Sequence, residues 1–182
     1  VNTTLSISAH DIYVWDDEGL SVRVLNSTGG VITDAPGNIT ISIDGVNYSQ
    51  KIYNGIATFV IPNLTIGHKD VWAFYDGDKN HNGNRSLASF EVMPRVPIVN
   101  VTAQNIIVGQ IERIHVQIPA NATGFVIVTG NFTENGIYVS KFVDGKTDIP
   151  VYDLSSGTYS VHIKYYGGGN DNYTIAEADI VF

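Results

Sequence analysis

The chain has 182 residues and a net charge of −8, and its ten lysines and arginines form no cluster, so a nucleic-acid backbone would be repelled. It has no cysteine, which rules out disulfides and leaves packing to supply stability. No apolar run reaches the roughly 18 residues that a membrane-spanning helix needs, so this segment holds no such span. It starts at Val1 and its only methionine is Met93, which reads as a segment taken from a longer protein.

Short apolar/polar alternations follow one another along the chain. Leu5, Ile7 and Ala9 open the series, followed by Ile12 and Val14, then by Leu20, Val22 and Val24. The same phase returns in Ala57, Phe59, Ile61, in Val71, Ala73, Tyr75 and in Ala88, Phe90, Val92. A period of two over such short runs predicts half-buried strands. Asn54-Gly55 and Asp144-Gly145 are turn signals between them, and no stretch has helical periodicity.

The chain repeats itself. At an offset of 90, Tyr48 meets Tyr138, Gly55 meets Gly145, Leu64 meets Leu154, Val71 meets Val161, Tyr75 meets Tyr165 and Ala88 meets Ala178, among eleven identities between Tyr48 and Val92. Chance would supply about three, so the chain is a duplication. Nearer the start the offset is 94, pairing Ala9 with Ala103, Ile12 with Ile106 and Val22 with Val116. The length differences fall in 26–36 and 131–138, at loop positions. Met93-Pro94-Arg95-Val96-Pro97 is the expected joint, extended and stiff, between repeat 1 (1–94) and repeat 2 (95–182), which predicts an elongated pair. Units of this size with some seven strands each predict an all-β chain of two tandem immunoglobulin-like β-sandwich domains.

Tyr159 sharpens that expectation. It stands two residues before inward-phase Val161, the spacing of a tyrosine corner, in which the phenol bonds back to the chain. Repeat 1 has Lys69 at the matching position, so its corner needs another device. Each repeat then ends in a tyrosine and a Gly/Asp/Asn loop, Tyr75-Asp-Gly-Asp-Lys-Asn and Tyr165-Tyr-Gly-Gly-Gly-Asn-Asp-Asn-Tyr173. In these stretches the chain resembles the Ig-like repeats of adhesin-like surface proteins from methanogenic archaea and some bacteria. The resemblance implies a cell-surface, extracellular array module and names no ligand.

Ten N-x-S/T triplets occur, at Asn2, Asn26, Asn38, Asn47, Asn63, Asn84, Asn100, Asn121, Asn131 and Asn172. About two are expected by chance, and two readings address the excess: N-glycosylation at several sites, or the bias of β-proteins toward Asn in turns and Thr in strands. The loop Asp76-Gly-Asp78-Lys-Asn80-His-Asn82-Gly-Asn84 places a hard oxygen ligand at every second position, as calcium requires. It departs from an EF-hand, with His81 where glycine belongs and Leu87 where the bidentate glutamate belongs, so a self-bonded turn is the competing reading. The second-repeat loop keeps only Asn170, Asp171 and Asn172. The five histidines show no zinc-site spacing, and His115 and His162 fall in outward phase.

No phosphate loop or nucleophile elbow is present, and no carboxylate pair stands out, so no enzyme activity and no cofactor are expected. Tyr13, Trp15, Trp72 and Phe74 are large aromatics in outward phase in repeat 1; they form a ligand platform if they share a sheet, or pack under the loop 26–36. The last strands, placed at Leu87–Val92 and Ile175–Phe182, contain no Asn or Gln for an internal amide or ester cross-link, so none is expected. The function these features predict is a non-catalytic extracellular stalk or display repeat with weak adhesion, a monomeric fragment of a longer array whose surface or glycan ligand is unknown. The alternative is a carbohydrate-binding module on repeat 1.

Overall fold

The computed structural model of the chain describes residues 1–132, 137–169 and 172–182. The chain divides into two compact units, Val1–Met93 and Pro94–Phe182, and no helix occurs among the described residues.

Unit 1 comprises β1 (Thr3–Ser8), β2 (Ile12–Tyr13), β3 (Glu18–Asn26), β4 (Asn38–Ile43), β5 (Val46–Lys51), β6 (Ile56–Ile61), β7 (Gly67–Gly77) and β8 (Asn82–Met93). One sheet has the order β1-β3-β6 and the other β2-β8-β7-β4-β5, antiparallel except where β2 runs parallel to β8. The alternation read from the sequence decides which side chains turn inward. Leu20, Val22, Val24, Ala57, Phe59 and Ile61 from one sheet meet Ile39, Ile41, Val71, Ala73, Tyr75 and Phe90 from the other in a single buried cluster. Each fully buried aliphatic side chain there stabilises the sandwich by about 1.5–3 kcal/mol.

Unit 2 repeats the plan with β9 (Asn100–Thr102), β10 (Glu112–Gln117), β11 (Phe125–Gly130), β12 (Tyr138–Lys141), β13 (Lys146–Val151), β14 (Ser160–Tyr166) and β15 (Ala176–Val181). Its sheets are β13-β10-β9 and β12-β11-β14-β15, closing over Ile114, Val116, Val126, Val128, Ile149, Val151, Val161 and Ile163.

The expected turns are built as their residues dictate. Asn54 and Gly55 have φ of 50° and 76°, and Asp144 and Gly145 have 49° and 71°, the left-handed pair that a two-residue hairpin turn requires. One strand boundary differs from the sequence reading, because β8 starts at Asn82 rather than Leu87. Its first residues pair with the end of β7, Asn82 opposite Gly77 and Asn84 opposite Tyr75. That stretch lies past the core, so backbone pairing extends the strand without apolar alternation to announce it. Asparagines therefore do stand in the last strand, beside Thr3. The Asn82 amide is held by Asn2 and the Asn84 amide by the Thr3 carbonyl, while the Thr3 hydroxyl donates to the Asn82 carbonyl, so it is aimed at neither side-chain amide.

Candidate functional site

The residues that recur between the units are structural locks. In the irregular stretch after the first strand, backbone N–H groups lose their ladder partners. In unit 1 the buried carboxylate of Glu18 accepts the His10 N–H at 2.9 Å, and Asp11 accepts the Glu91 N–H at 2.8 Å. In unit 2 the buried Glu112 accepts the Gln104 N–H, also at 2.9 Å. Glu18 and Glu112 stand at the offset of 94 already seen for Val22 and Val116, so extending that alignment by inspection would have found them.

The corners are locked with the same spacing and different chemistry. Tyr159 donates from its hydroxyl to the Ser155 carbonyl, four residues back, at 2.8 Å. Lys69, 5% exposed, reaches back four residues to the Thr65 hydroxyl at 2.9 Å and pairs with Asp44 at 2.7 Å. A buried lysine inside an alternating strand gives no sequence signal apart from its alignment with Tyr159.

The core tyrosines differ between units. Tyr165 donates from its buried phenol to the Thr123 carbonyl, whereas the Tyr75 hydroxyl is buried and has no hydrogen-bond partner among the described residues. Burial raises the pKa of both phenols, with Asp78 and Asp34 adding to the effect on Tyr75 and Tyr173 to that on Tyr165. Removing the hydroxyls should therefore have unequal consequences. Tyr75→Phe is expected to leave stability unchanged or to raise it, and Tyr165→Phe to lower it by about 1 kcal/mol, as read from urea unfolding. Equal losses for the two would contradict the assignment of Tyr75 as unsatisfied.

The oxygen-rich loop does not converge on one point. Asp78 accepts the N–H groups of Asn80 and His81 at 3.0 and 2.7 Å and faces the His81 ring nitrogen at 2.7 Å, making a self-bonded turn. Burial opposes ionisation of Asp78, but these bonds outweigh it and hold its carboxyl below the ordinary range. Asp76 is exposed, and Asn82 and Asn84 are turned toward the amino-terminal strand, so the five oxygen residues do not form one ligand shell. The register sets Asn82 and Asn84 opposite Gly77 and Tyr75, on the sheet face away from Asp76, where the N-terminal segment holds their amides. Among the described residues no three His, Asp or Glu side chains form a metal-binding group. Asn170 and Asp171 lie outside the described residues.

Three outward histidines pair across strands with carboxylates: His68 with Glu91 at 2.6 Å, His115 with Asp148 at 2.5 Å and His162 with Asp179 at 2.8 Å. The hydrogen bond to Glu91 raises the His68 pKa, a weaker desolvation opposes it, and Asp70 adds to the rise. A raised histidine contributes stability that is fully present below its unfolded value of about 6.5 and is lost as pH climbs through the folded one. The pair is solvent-exposed, so the contribution is small. An NMR titration should place the His68 midpoint above that ordinary value, and Glu91→Gln should move it back down; an unmoved midpoint would remove Glu91 as the cause.

Eight of the ten sequon asparagines are exposed, and Asn26 and Asn172 are half-buried. Several of them also work within the fold: Asn2 accepts from the Asn82 amide, Asn26 accepts the Thr28 and Gly30 N–H groups, and Asn121 accepts from the Tyr173 hydroxyl. Asn84 donates to the Thr3 carbonyl, and Asn131 bridges β11 to β14 by donating to the Thr158 carbonyl and accepting the Ser160 N–H.

Tyr13, Trp72 and Phe74 share one sheet and Trp15 follows Tyr13 in a turn, but the four split into two places. Tyr13 stands opposite Met93 and Trp72 opposite Leu87, which puts about 20 Å of β8 between them. Trp15 sits in the turn after β2 with φ of 73°. Trp72 and Phe74 are each 38% exposed and lie 6.4 Å apart with nearly parallel rings. Their neighbours across the sheet are Leu87 and Arg85, whose guanidinium lies over the Trp72 ring at 5.7 Å. The loop 26–36 instead tucks Ile32 and Ala35 into the core, and its backbone bonds run to Val24 and within the loop. The aromatic pair is thus an open surface on β7.

This arrangement, two sheets per unit with β5 beside β4 in unit 1 and β12 beside β11 in unit 2, and with the chain passing from one sheet at β1 to the other at β2 in unit 1, defines an all-β protein of immunoglobulin-like sandwiches. No protein-family description matches the sequence, and no curated protein does either. Among solved structures the chain is similar to a two-domain fibronectin type III segment of chicken tenascin, at 15% identity and a TM-score of 0.48 over 97% of each chain. It is similar to the Yersinia pseudotuberculosis adhesin InvE at 12% identity and a TM-score of 0.38, covering 98% of this chain and 60% of that one. It is also similar to Bacteroides uniformis β-glucuronidase 3 at 12% identity and a TM-score of 0.37, where it spans 24% of that chain. With scores this low, the class of the fold rests on the strand order itself.

Proposed function

We propose that the chain is a non-catalytic extracellular module of an adhesin-like cell-surface protein, of the kind found in methanogenic archaea, in which the two sandwiches serve as stalk or display repeats without a cofactor. The observation that carries this reading is the repetition of locks rather than of a ligand site. Glu18 and Glu112 hold the equivalent stretch of backbone after the first strand, and Lys69 and Tyr159 hold the same corner. The outward groups on the equivalent strands differ, Trp72 and Phe74 in unit 1 against His162 and Lys164 in unit 2. A repeat whose framework recurs while its surface diverges suits spacing and display. The exposed sequon asparagines support a sugar-bearing surface. The test is brief protease treatment of intact source cells followed by mass spectrometry of the released peptides. Peptides of this chain are expected in the supernatant of unbroken cells; recovery only after lysis would sink the reading.

The Trp72 and Phe74 surface supports a second reading, a carbohydrate-binding module on unit 1. Exposed parallel rings beside an arginine suit the apolar face and hydroxyl groups of a sugar. A glycan array probed with unglycosylated chain separates the two readings. Reproducible binding lost in Trp72→Ala favours the second, and an empty array rejects it.

A further inference from the structure

From the strand register we infer that the outward face of β7, β4 and β5 seats a saccharide carried by the chain itself, the first sugars of an N-linked glycan on Asn47. The inference rests on the extracellular, glycosylated reading above and deepens it by naming what covers Trp72.

Asn47 faces Ser42, Ser42 faces Trp72, and Trp72 faces Leu87, so all four belong to one outward row of the sheet. The next row is Ser49, Thr40, Phe74 and Arg85. Adjacent strands are about 4.8 Å apart, which puts Asn47 and Trp72 about 10 Å apart with only the small Ser42 between them. The face is therefore a step. Short hydroxyl side chains floor β4 and β5, the two stacked rings stand up on β7, and the acceptor asparagine lies on the open edge strand. A pyranose attached at Asn47 and turned inward lies on the hydroxyl floor with its apolar face against the indole, which offers both kinds of contact a sugar ring makes. The sequon hydroxyl, Ser49, is exposed two residues along the same strand face.

The other sequons are placed differently. Asn38 is paired with Lys51 at the start of β4, beyond the Phe74 row, and the amides of Asn84 and Asn131 are engaged with backbone carbonyls. A sugar seated from Asn47 would also occupy the surface that a foreign saccharide would use, so glycosylation would decide whether unit 1 can bind one.

The experiment uses the whole 182-residue chain, secreted from a host that attaches N-glycans, as wild type, Asn47→Gln and Ser49→Ala. Glycopeptide mass spectrometry reads occupancy and acrylamide quenching of tryptophan fluorescence reads cover. The expected result is an occupied Asn47, with quenching rising about twofold in both substituted chains and no such rise when Trp72 is first replaced by Phe. Contacts between sugar and indole protons in NMR spectra of the wild type should agree. An unoccupied Asn47 on a chain whose other sequons carry glycans, or an occupied one with unchanged quenching, overturns the inference alone. Glycans on none of the ten overturns it together with the glycosylated reading.

Discussion

Replacing Lys69 by alanine is expected to destabilise unit 1 by about 2–3 kcal/mol, at or just below the roughly 3–5 kcal/mol that breaking a fully buried ion pair costs. Three losses combine. The Lys69 side chain is only 6% exposed, its removal leaves the Asp44 carboxylate without its 2.7 Å partner, and the Thr65 hydroxyl loses its donor. Asp44 is about half exposed, so water recovers part of its solvation, which keeps the figure below that of a fully buried pair. The four-carbon stem also packs in the corner, so Lys69→Met should recover part of the loss while Lys69→Ala does not. Tyr159→Phe, which removes only neutral contacts from the equivalent corner, the 2.8 Å bond to the Ser155 carbonyl and a longer 3.3 Å one with its hydroxyl, should cost unit 2 only about 1 kcal/mol. Denaturant unfolding followed by probes in each unit measures both. A Lys69→Ala midpoint shift no larger than that of Tyr159→Phe would show that Lys69 is not the corner lock of unit 1.

The second large effect belongs to the paired glutamates. Glu18→Ala and Glu112→Ala should each cost about 2–3 kcal/mol, because each strands a backbone N–H in the irregular stretch after the first strand, where no ladder supplies a partner. The His10 amide should then exchange with solvent much faster in Glu18→Ala, and the Gln104 amide in Glu112→Ala, each leaving the other unit unaltered. Gln at either position keeps an acceptor oxygen but buries an extra N–H₂, so an intermediate loss is expected. Unchanged exchange at His10 in Glu18→Ala would mean that the crossing is held by the Asp11 and Glu91 contact instead.

These locks explain why part of the molecule could be read in the chain and part could not. Alternation such as Leu20, Val22, Val24 and Val71, Ala73, Tyr75 reports which face of a strand is buried, because only two faces exist and the core takes one. The Asn-Gly and Asp-Gly turns were equally legible, since few residues tolerate two successive left-handed conformations. Tyr159 stands out by its spacing, and in the structure its hydroxyl donates to the Ser155 carbonyl. Lys69 and Glu18 do not stand out, because a charged residue at an inward position contradicts the alternation, and only the partner that satisfies it makes the position acceptable.

The surface groups divide in the same way. That Trp72 and Phe74 point outward follows from phase. That Tyr13 lies some 20 Å from Trp72 follows from the register of β2 on β8, which is set by pairs distant in sequence. The same holds for Asn47, whose place in the Trp72 row depends on two successive strand pairings. The oxygen ligands of the loop after β7 look equivalent in sequence, yet the backbone turn claims Asp78 while the amino-terminal strand claims Asn82 and Asn84. By itself the sequence determined the class of structure, the duplication, the turns and the facing of each strand residue, all of which depend on local periodicity. Only the tertiary structure decided which side chains meet, because partners are chosen by strand register and by the need to satisfy each buried polar group, and neither is local.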